Sequence, residues 1–501
     1  MRSFAKGRMY DMRYHWLTSV MALLLTFLAV AAYGQQEAKT YDEAYELCAQ
    51  GHQLLSEGEY DSALDVLFRA TGYNANAELN TYVFDYIANC YYGLGDIQSA
   101  IYYEKIALGE YYDNPNVAYN LAVYLYEAGE EDKALSAFEL YIINVENNEN
   151  EEAERVYSAY WYQGNIYMHK SDYEKAEEAY KKGLSVVSIP VAYRSLASFY
   201  VETKRYPEAI ETYKKCIGLG SVYSIDNMPD YLMLGGIYML NGQTTDAVRA
   251  YDDCIDCFNA NLTNLKQLSS SPDSLGFEVD ITSFPEYSIY LNAMLWYARL
   301  SAPSKVRIAR YLEVMADSSM QAEIEPLDYI SLAETYYNLD EKKEGMEILK
   351  NARSKYPEDV DIMFNYALLL DDTNPKEMLA LLEEILKREN TAIPKTFDYG
   401  TVYNNIAWEY CCKKNYVKAL PYARQAVQKN PEHDYSWETI GEIYYHLRKY
   451  NECIDAMTKC LECSDCDSQY LALTFRGKAY KKMGYYAKGK SDLQNAKYYK
   501  K

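Results

Sequence analysis

The feature that most constrains this chain is that it repeats itself. The stretches Tyr160–Tyr167, Tyr193–Tyr200 and Tyr231–Tyr238 each carry an aromatic, a small residue four later and Tyr three after that. A second run follows each: Tyr173–Tyr180 with Ala176, Tyr206–Tyr213 with Ala209, and Asp246–Tyr251 with Ala247. Residues three and four apart share one face of a helix. The unit is therefore two helices joined by a turn. A unit repeated at fixed period decides the architecture before any other signal does.

Placing the small residue of the second helix at repeat position 20 gives eleven units, beginning near residues 44, 81, 115, 157, 190, 228, 326, 360, 400, 434 and 470. Position 8, which takes no part in setting that register, reads Gly51, Ala88, Ala122, Gly164, Ala197, Gly235, Ala333, Ala367, Ala407, Gly441 and Gly477. Position 11 is Tyr in eight units and Leu in three. This pattern resembles the tetratricopeptide repeat, a helix–turn–helix of about 34 residues. The resemblance covers about residues 41–258 and 326–501. It implies an all-α fold, an α-solenoid of tetratricopeptide-type repeats forming a right-handed superhelix, with about eleven repeats in two arrays.

The physics behind the pattern is a close crossing. A large side chain at position 8 would overpack the two helices, at about 1–3 kcal/mol. One helix pair cannot bury its apolar face alone, so aromatics fill the seam between units. That gives sixteen of the 57 tyrosines a regular place, at positions 4, 11 and 24. Pro357 and Pro431 end units. Position 24 has become Glu104 and Glu383, and position 20 has become Leu379, so the units from 81 and 360 are degenerate. Asn144–Glu154 is an acidic insertion, Cys257–Pro285 lacks the motif, and Tyr287–Ala316 reads as one irregular helix pair. The expected organisation is 1–34 signal peptide, 41–258 N-terminal array, 259–325 irregular linker and helix pair, and 326–501 C-terminal array.

Arg2, Lys6, Arg8 and Arg13 precede an apolar run from about Leu17 to Ala32, which ends in Ala32-Tyr33-Gly34. A basic n-region, a short apolar h-region and a small-x-small exit read as a secretory signal peptide cleaved near Gly34. Its removal moves the formal net charge from −23 to −26. The expectation is an exported chain, periplasmic or envelope-associated, with no membrane span after processing. The acidic excess argues against nucleic-acid binding, which needs a basic footprint.

Few motifs point to chemistry. Gly484 to Ser491 satisfies G-x-x-x-x-G-K-[ST], but a phosphate loop needs a strand before it and free amides. Here Gly489 is the small position 20 of a repeat helix, so the match is read as coincidence. Cys453, Cys460, Cys463 and Cys466 admit core packing, a local disulfide or a metal site, in that order. Cys216, Cys254 and Cys460 fall at position 27, where a small apolar residue is usual. His52, His169, His433 and His446 form no metalloprotease pattern. The chain is expected to be no enzyme, with no cofactor, metal or catalytic residue.

The resemblance also implies where binding occurs. First helices line a concave face, and positions 2, 5, 9 and 12 point into it. In this sequence they give Tyr82, Asp85, Asn89, Tyr92, Tyr119, Tyr126, Trp161 and Asn165, with Met168, in the N-terminal array. The C-terminal array gives Tyr337, Phe364, Asn404, Trp408, Tyr435, Glu438 and Tyr445, with Glu442. Rings beside amides and carboxylates suit an extended peptide, because rings supply area and polar ends fix register. At position 5 only Arg194 is basic, so a clamp for a terminal carboxylate is not expected. The expected function is a non-enzymatic protein–protein interaction scaffold of the bacterial cell envelope, part of an envelope complex that takes protein or peptide partners. The alternative is an envelope glycan-binding protein, its exposed rings stacking on sugars.

Overall fold

The computed structural model describes residues 41–73, 76–110, 114–145, 153–221, 223–269, 280–370, 373–389, 397–463 and 468–500. The expected signal peptide, most of the acidic insertion and Cys466 lie outside them. Among the described residues every regular element is a helix. The chain divides into two compact units, Met1–Gln243 and Thr244–Lys501.

The first unit holds α1 (Tyr41–Ser56), α2 (Tyr60–Ala70), α3 (Ala77–Gly93), α4 (Ile97–Glu110), α5 (Pro115–Glu127), α6 (Glu131–Val145), α7 (Ala153–His169), α8 (Tyr173–Val186), α9 (Pro190–Glu202), α10 (Tyr206–Ile217) and α11 (Met228–Leu240). From α1 to α10 the helices pack as consecutive pairs, and each pair packs on the next. The second unit holds α12 (Thr244–Ser269), α13 (Tyr287–Leu300), α14 (Lys305–Ala316), α15 (Pro326–Asn338), α16 (Lys342–Lys355), α17 (Val360–Leu370), α18 (Pro375–Lys387), α19 (Tyr399–Cys412), α20 (Tyr416–Lys429), α21 (Asp434–His446), α22 (Tyr450–Glu462), α23 (Gln469–Lys482) and α24 (Tyr486–Ala496). Here too neighbours pack in order, and the first helices α15 and α17, α19 and α21, and α21 and α23 also touch. The helix starts fall within a few residues of the eleven unit starts read from the sequence.

Position 8 is buried in all eleven units. A Cβ added to Gly164 would lie 2.7 Å from the Tyr180 ring, and one added to Gly441 would lie 2.7 Å from the Met457 methyl. Tyr180 and Met457 occupy position 24 of their own units, so position 8 of the first helix meets position 24 of the second. Position 20 lies against the backbone opposite: a Cβ on Gly345 would approach the Ala333 carbonyl oxygen to 2.9 Å. No tyrosine at positions 4, 11 or 24 is exposed.

A second constraint sits in the turn. Position 15 has positive φ in ten units, at Gly58, Gly95, Gly129, Gly242 and Gly484, and at the non-glycine residues Ser171, Lys204, Asp340, Lys414 and Arg448. This left-handed residue ends the first helix so that the second can fold back. It costs a residue with a Cβ about 1 kcal/mol or more. The unit from 360 breaks the rule. Asn374 sits at φ −146° and caps α18 through the Glu377 amide. The buried stripe of α18 is then Met378, Leu381, Leu382 and Ile385, while the expected core residue Leu379 is only half-buried. The sequence register is therefore off by one in that helix.

The linker region also differs from expectation. Helix α12 runs on to Ser269, well past Phe258 where the N-terminal array was expected to stop. The irregular pair α13–α14 docks on its successor through Arg299, which grips Asp328 at 2.8 Å twice and donates to the Glu323 carbonyl at 2.9 Å. Arg194 in α9 makes the same grip in the other unit. It holds Asp230 at 2.7 and 2.9 Å and the Asp226 carbonyl at 3.1 Å. Both aspartates are the third residue of a first helix and are buried.

The crossing yields a paired test. Gly164→Ala is expected to destabilise its unit by about 1–3 kcal/mol through overpacking. At Gly236, in α11, an added Cβ meets nothing within 4 Å, so Gly236→Ala should stabilise by up to about 1 kcal/mol through helix propensity. Chemical denaturation of both variants checks the opposite signs.

Candidate functional site

The first-helix faces carry the expected binding residues, and the structure divides them into three sets. Tyr82, Tyr92, Tyr337, Trp408 and Tyr435 are exposed. Asp85, Asn404 and Glu438 are buried. Asn89, Tyr119, Tyr126, Trp161, Asn165, Phe364 and Tyr445 are half-buried. Rings of the third set are committed partly to neighbours. Tyr119 shares a hydrogen bond with Ser158 at 2.8 Å and lies edge-on to Tyr141. Tyr126 packs on Tyr162, Phe364 on Phe397, and Tyr445 on Phe475.

In the N-terminal array the buried set forms a polar cluster linking α3, α4 and α5. Asp85 Oδ1 accepts from Asn120 at 2.8 Å and from Asn89 at 3.1 Å, and Tyr124 donates to Asn89 Oδ1 at 2.9 Å. Glu104, fully buried at position 24, faces the same aspartate. Among the described residues neither Glu104 oxygen accepts a hydrogen bond. Its burial beside Asp85 favours the neutral acid. Burial first, and the Asp85 charge second, push Glu104 well above the usual carboxylate range. Asp85 is raised as well by burial, with its hydrogen bonds opposing. Two carboxyl groups thus meet in one buried site, which disfavours ionising both. Tyr92 closes the rim by stacking on Tyr124 and donating to Glu127 at 2.8 Å.

Between α7 and α9 the first-helix face opens a cavity of about 300 Å³. Trp161, Asn165 and Met168 line one side and Arg194, Ser198 and Glu202 the other. Asn165 is already engaged by the Tyr180 hydroxyl at 2.6 Å. Arg194 is spent on Asp230, so the single basic residue at position 5 is a packing clamp between repeats.

In the C-terminal array, Asn404 and Glu438 occupy position 5 of α19 and α21, two first helices that pack together. Asn404 Oδ1 is buried with no hydrogen-bond partner among the described residues. Burial first, then the charges of Glu442 and Asp434, push Glu438 up to about 7. Glu442, one turn on, is raised by burial, and Cys411 beside it is pushed up to about 12. Exposed Trp408 and Tyr435 flank these acceptors on the same helices. The face thus carries buried acceptors beside exposed aromatic rings. Sequence reasoning named the residues, but not that Glu438 would be buried.

The remaining motifs are structural. In the stretch that matches a phosphate loop, Gly484 is the left-handed turn residue, and the Gly489 amide donates to the Tyr485 carbonyl at 3.0 Å inside the helix. A Cβ on Gly489 would lie 2.6 Å from the Gly477 carbonyl oxygen, so this glycine serves the crossing. Cys453 and Cys460 are buried in α22. Among the described residues no group of three or more His, Cys, Asp or Glu could hold a metal ion, and no helix is long and apolar enough to cross a membrane.

The acid pair predicts a pH response. A raised folded pKa contributes stability in acid that is lost as pH climbs through that pKa. The N-terminal array should therefore melt at lower temperature toward alkaline pH. Glu104→Gln, neutral at every pH, should flatten that decline. Thermal melts from pH 5 to pH 9 check it, and parallel curves for the two proteins would contradict it.

The tetratricopeptide-repeat family matches residues 86–151 and 163–221 in one form and 435–464 in another. Among solved structures, the chain is similar to yeast Tom70, with 15% identity over 88% of this chain and 96% of that one at TM-score 0.34. It is similar to the C-terminal part of a TPR repeat-containing protein from Cytophaga hutchinsonii, with 17% identity over 56% and 98% at TM-score 0.40. It is also similar to MamA, with 18% identity over 37% and 94% at TM-score 0.31. No curated protein matches it. The matched stretches, the paired helices and the small residue at every crossing give one conclusion: the chain carries tetratricopeptide repeats.

Proposed function

We propose that this protein is a non-enzymatic scaffold of the cell envelope that docks extended segments of partner proteins on its first-helix faces. The observation that carries the reading is the α19–α21 face of the C-terminal array. Asn404 offers a buried acceptor without a donor, Glu438 and Glu442 offer carboxylates, and Trp408 and Tyr435 offer exposed ring surface beside them. Buried acceptors left unmatched are costly, so a donor-rich ligand gains from filling them. A segment bearing Lys or Arg between apolar residues suits that chemistry. The envelope setting is supported by the basic and apolar N-terminal segment ending at Gly34.

Two measurements test the proposal. Selection of peptides on the purified chain should enrich basic segments. Their affinity should rise as pH climbs through about 7 and Glu438 ionises. Trp408→Ala should weaken binding about tenfold, and Glu438→Gln should remove the pH dependence. A saturable tryptophan-fluorescence response to one class of sugar, with no peptide enriched, would replace this reading with glycan binding. Mass spectrometry of the protein from its own cells should find an N-terminus at Gln35. An intact N-terminus would contradict processing.

A further inference from the structure

The chain is acidic as a whole, yet its last helix pair is not. Residues 469–501 carry nine Lys and Arg against a single carboxylate, a net +8. Set against the chain's −23, that leaves −31 for residues 1–468. The one carboxylate is no counterweight at the surface: Asp492 is buried and held by Arg476 at 2.8 and 3.1 Å. Lys481, Lys482, Lys488, Lys490 and Lys497 are all exposed. The first four surround the turn between α23 and α24, where Tyr485 and Tyr486 are 52% and 70% exposed.

The opposite pattern lies in α1 and α2. Residues 41–73 carry seven carboxylates against Arg69 alone, the most acidic of the described helix pairs. Asp42, Glu43, Glu46, Asp61 and Asp65 are exposed, beside exposed Tyr41 and Tyr45. The chain thus presents two patches of opposite charge, each with exposed tyrosine to supply contact area.

We infer that the basic patch of α23–α24 binds the acidic face of α1–α2 in a second copy of this chain. An extended polyanion, such as a bilayer or a nucleic acid, would also confront the −31 carried elsewhere. A second copy supplies a compact acidic patch, net −6 in residues 41–73 against +8 in residues 469–501. The lysines can meet it at close range while the acidic remainder of the two chains stays apart in salt. All five named cations are lysines. They suit diffuse pairing with carboxylates more than the bidentate reading of phosphate that arginine provides. Because the two patches differ, the contact is head-to-tail rather than two-fold.

Sedimentation velocity of the purified full chain tests this. At about 50 mM salt the weight-average mass should rise with protein concentration. At about 500 mM, where screening is strong, the apparent affinity should fall at least about tenfold. Reversing the lysines (K481E/K482E/K488E/K490E) should abolish association, as should reversing the acids (D42K/E43K/E46K). Mixing the two variants should restore it, because each then offers the patch that the other lacks. Circular dichroism melts identify any variant that has failed to fold. A wild-type chain that stays monomeric at low salt would overturn the inference, as would association indifferent to both reversals. Binding of the monomeric wild type to vesicles of anionic lipid, lost on lysine reversal, would transfer the patch to a membrane.

Discussion

Everything in this protein depends on one crossing, where a small residue of the first helix lies under a bulky residue of the second. At Gly164 and Gly441 the opposing side chain already occupies the space that a Cβ would need. The approach lets each pair pack on the next through a continuous core of alanine, branched aliphatic and aromatic side chains. It also fixes which faces remain. With positions 8 and 11 turned into the pair, positions 2, 5, 9 and 12 of the first helices are left to face something else. Binding capacity is in this sense a by-product of packing.

The polar residues inside the arrays follow from the same constraint. Glu104 stands where a large apolar side chain belongs, and an ionised carboxylate there would be very costly. The neighbouring pair supplies the remedy, with Asn120 and Tyr124 reaching back to Asp85 and Asn89. Arg194 and Arg299 join one helix pair to the next in the same spirit, each gripping the third residue of the following first helix. Polar contacts therefore add to an apolar core that runs through successive pairs. Glu438 differs because it is buried near two other carboxylates, Glu442 and Asp434, of which Glu442 meets His446 at 3.7 Å.

Much of the fold was legible because it depends on residue size at fixed spacing. The small residue at position 8 and the tyrosine at position 11 are local facts, and the helix pairs followed from them. The left-handed turn at position 15 was half hidden, since Ser171, Lys204, Asp340, Lys414 and Arg448 stand where glycine would have announced it. The slip at Leu379 was not legible, because it arises from a turn that lacks that residue. Nor was the repeat-like docking of α13–α14, which rests on one arginine rather than on a motif. The candidate groove residues were nameable by position, but their burial was not. Whether Glu438 or Asp85 is exposed depends on side chains contributed by neighbouring helices. The charge reversal at α23–α24 was there to be counted, but a single net charge for the whole chain concealed it.

The central claim is that the first-helix faces, and the α19–α21 face above all, receive the partner. Hydrogen exchange measured by mass spectrometry, with and without a bound basic peptide, tests it directly. The account predicts protection concentrated in α19 and α21, with α20 and α22 little changed. Protection confined to α20 and α22, with α19 and α21 exchanging as before, would contradict it.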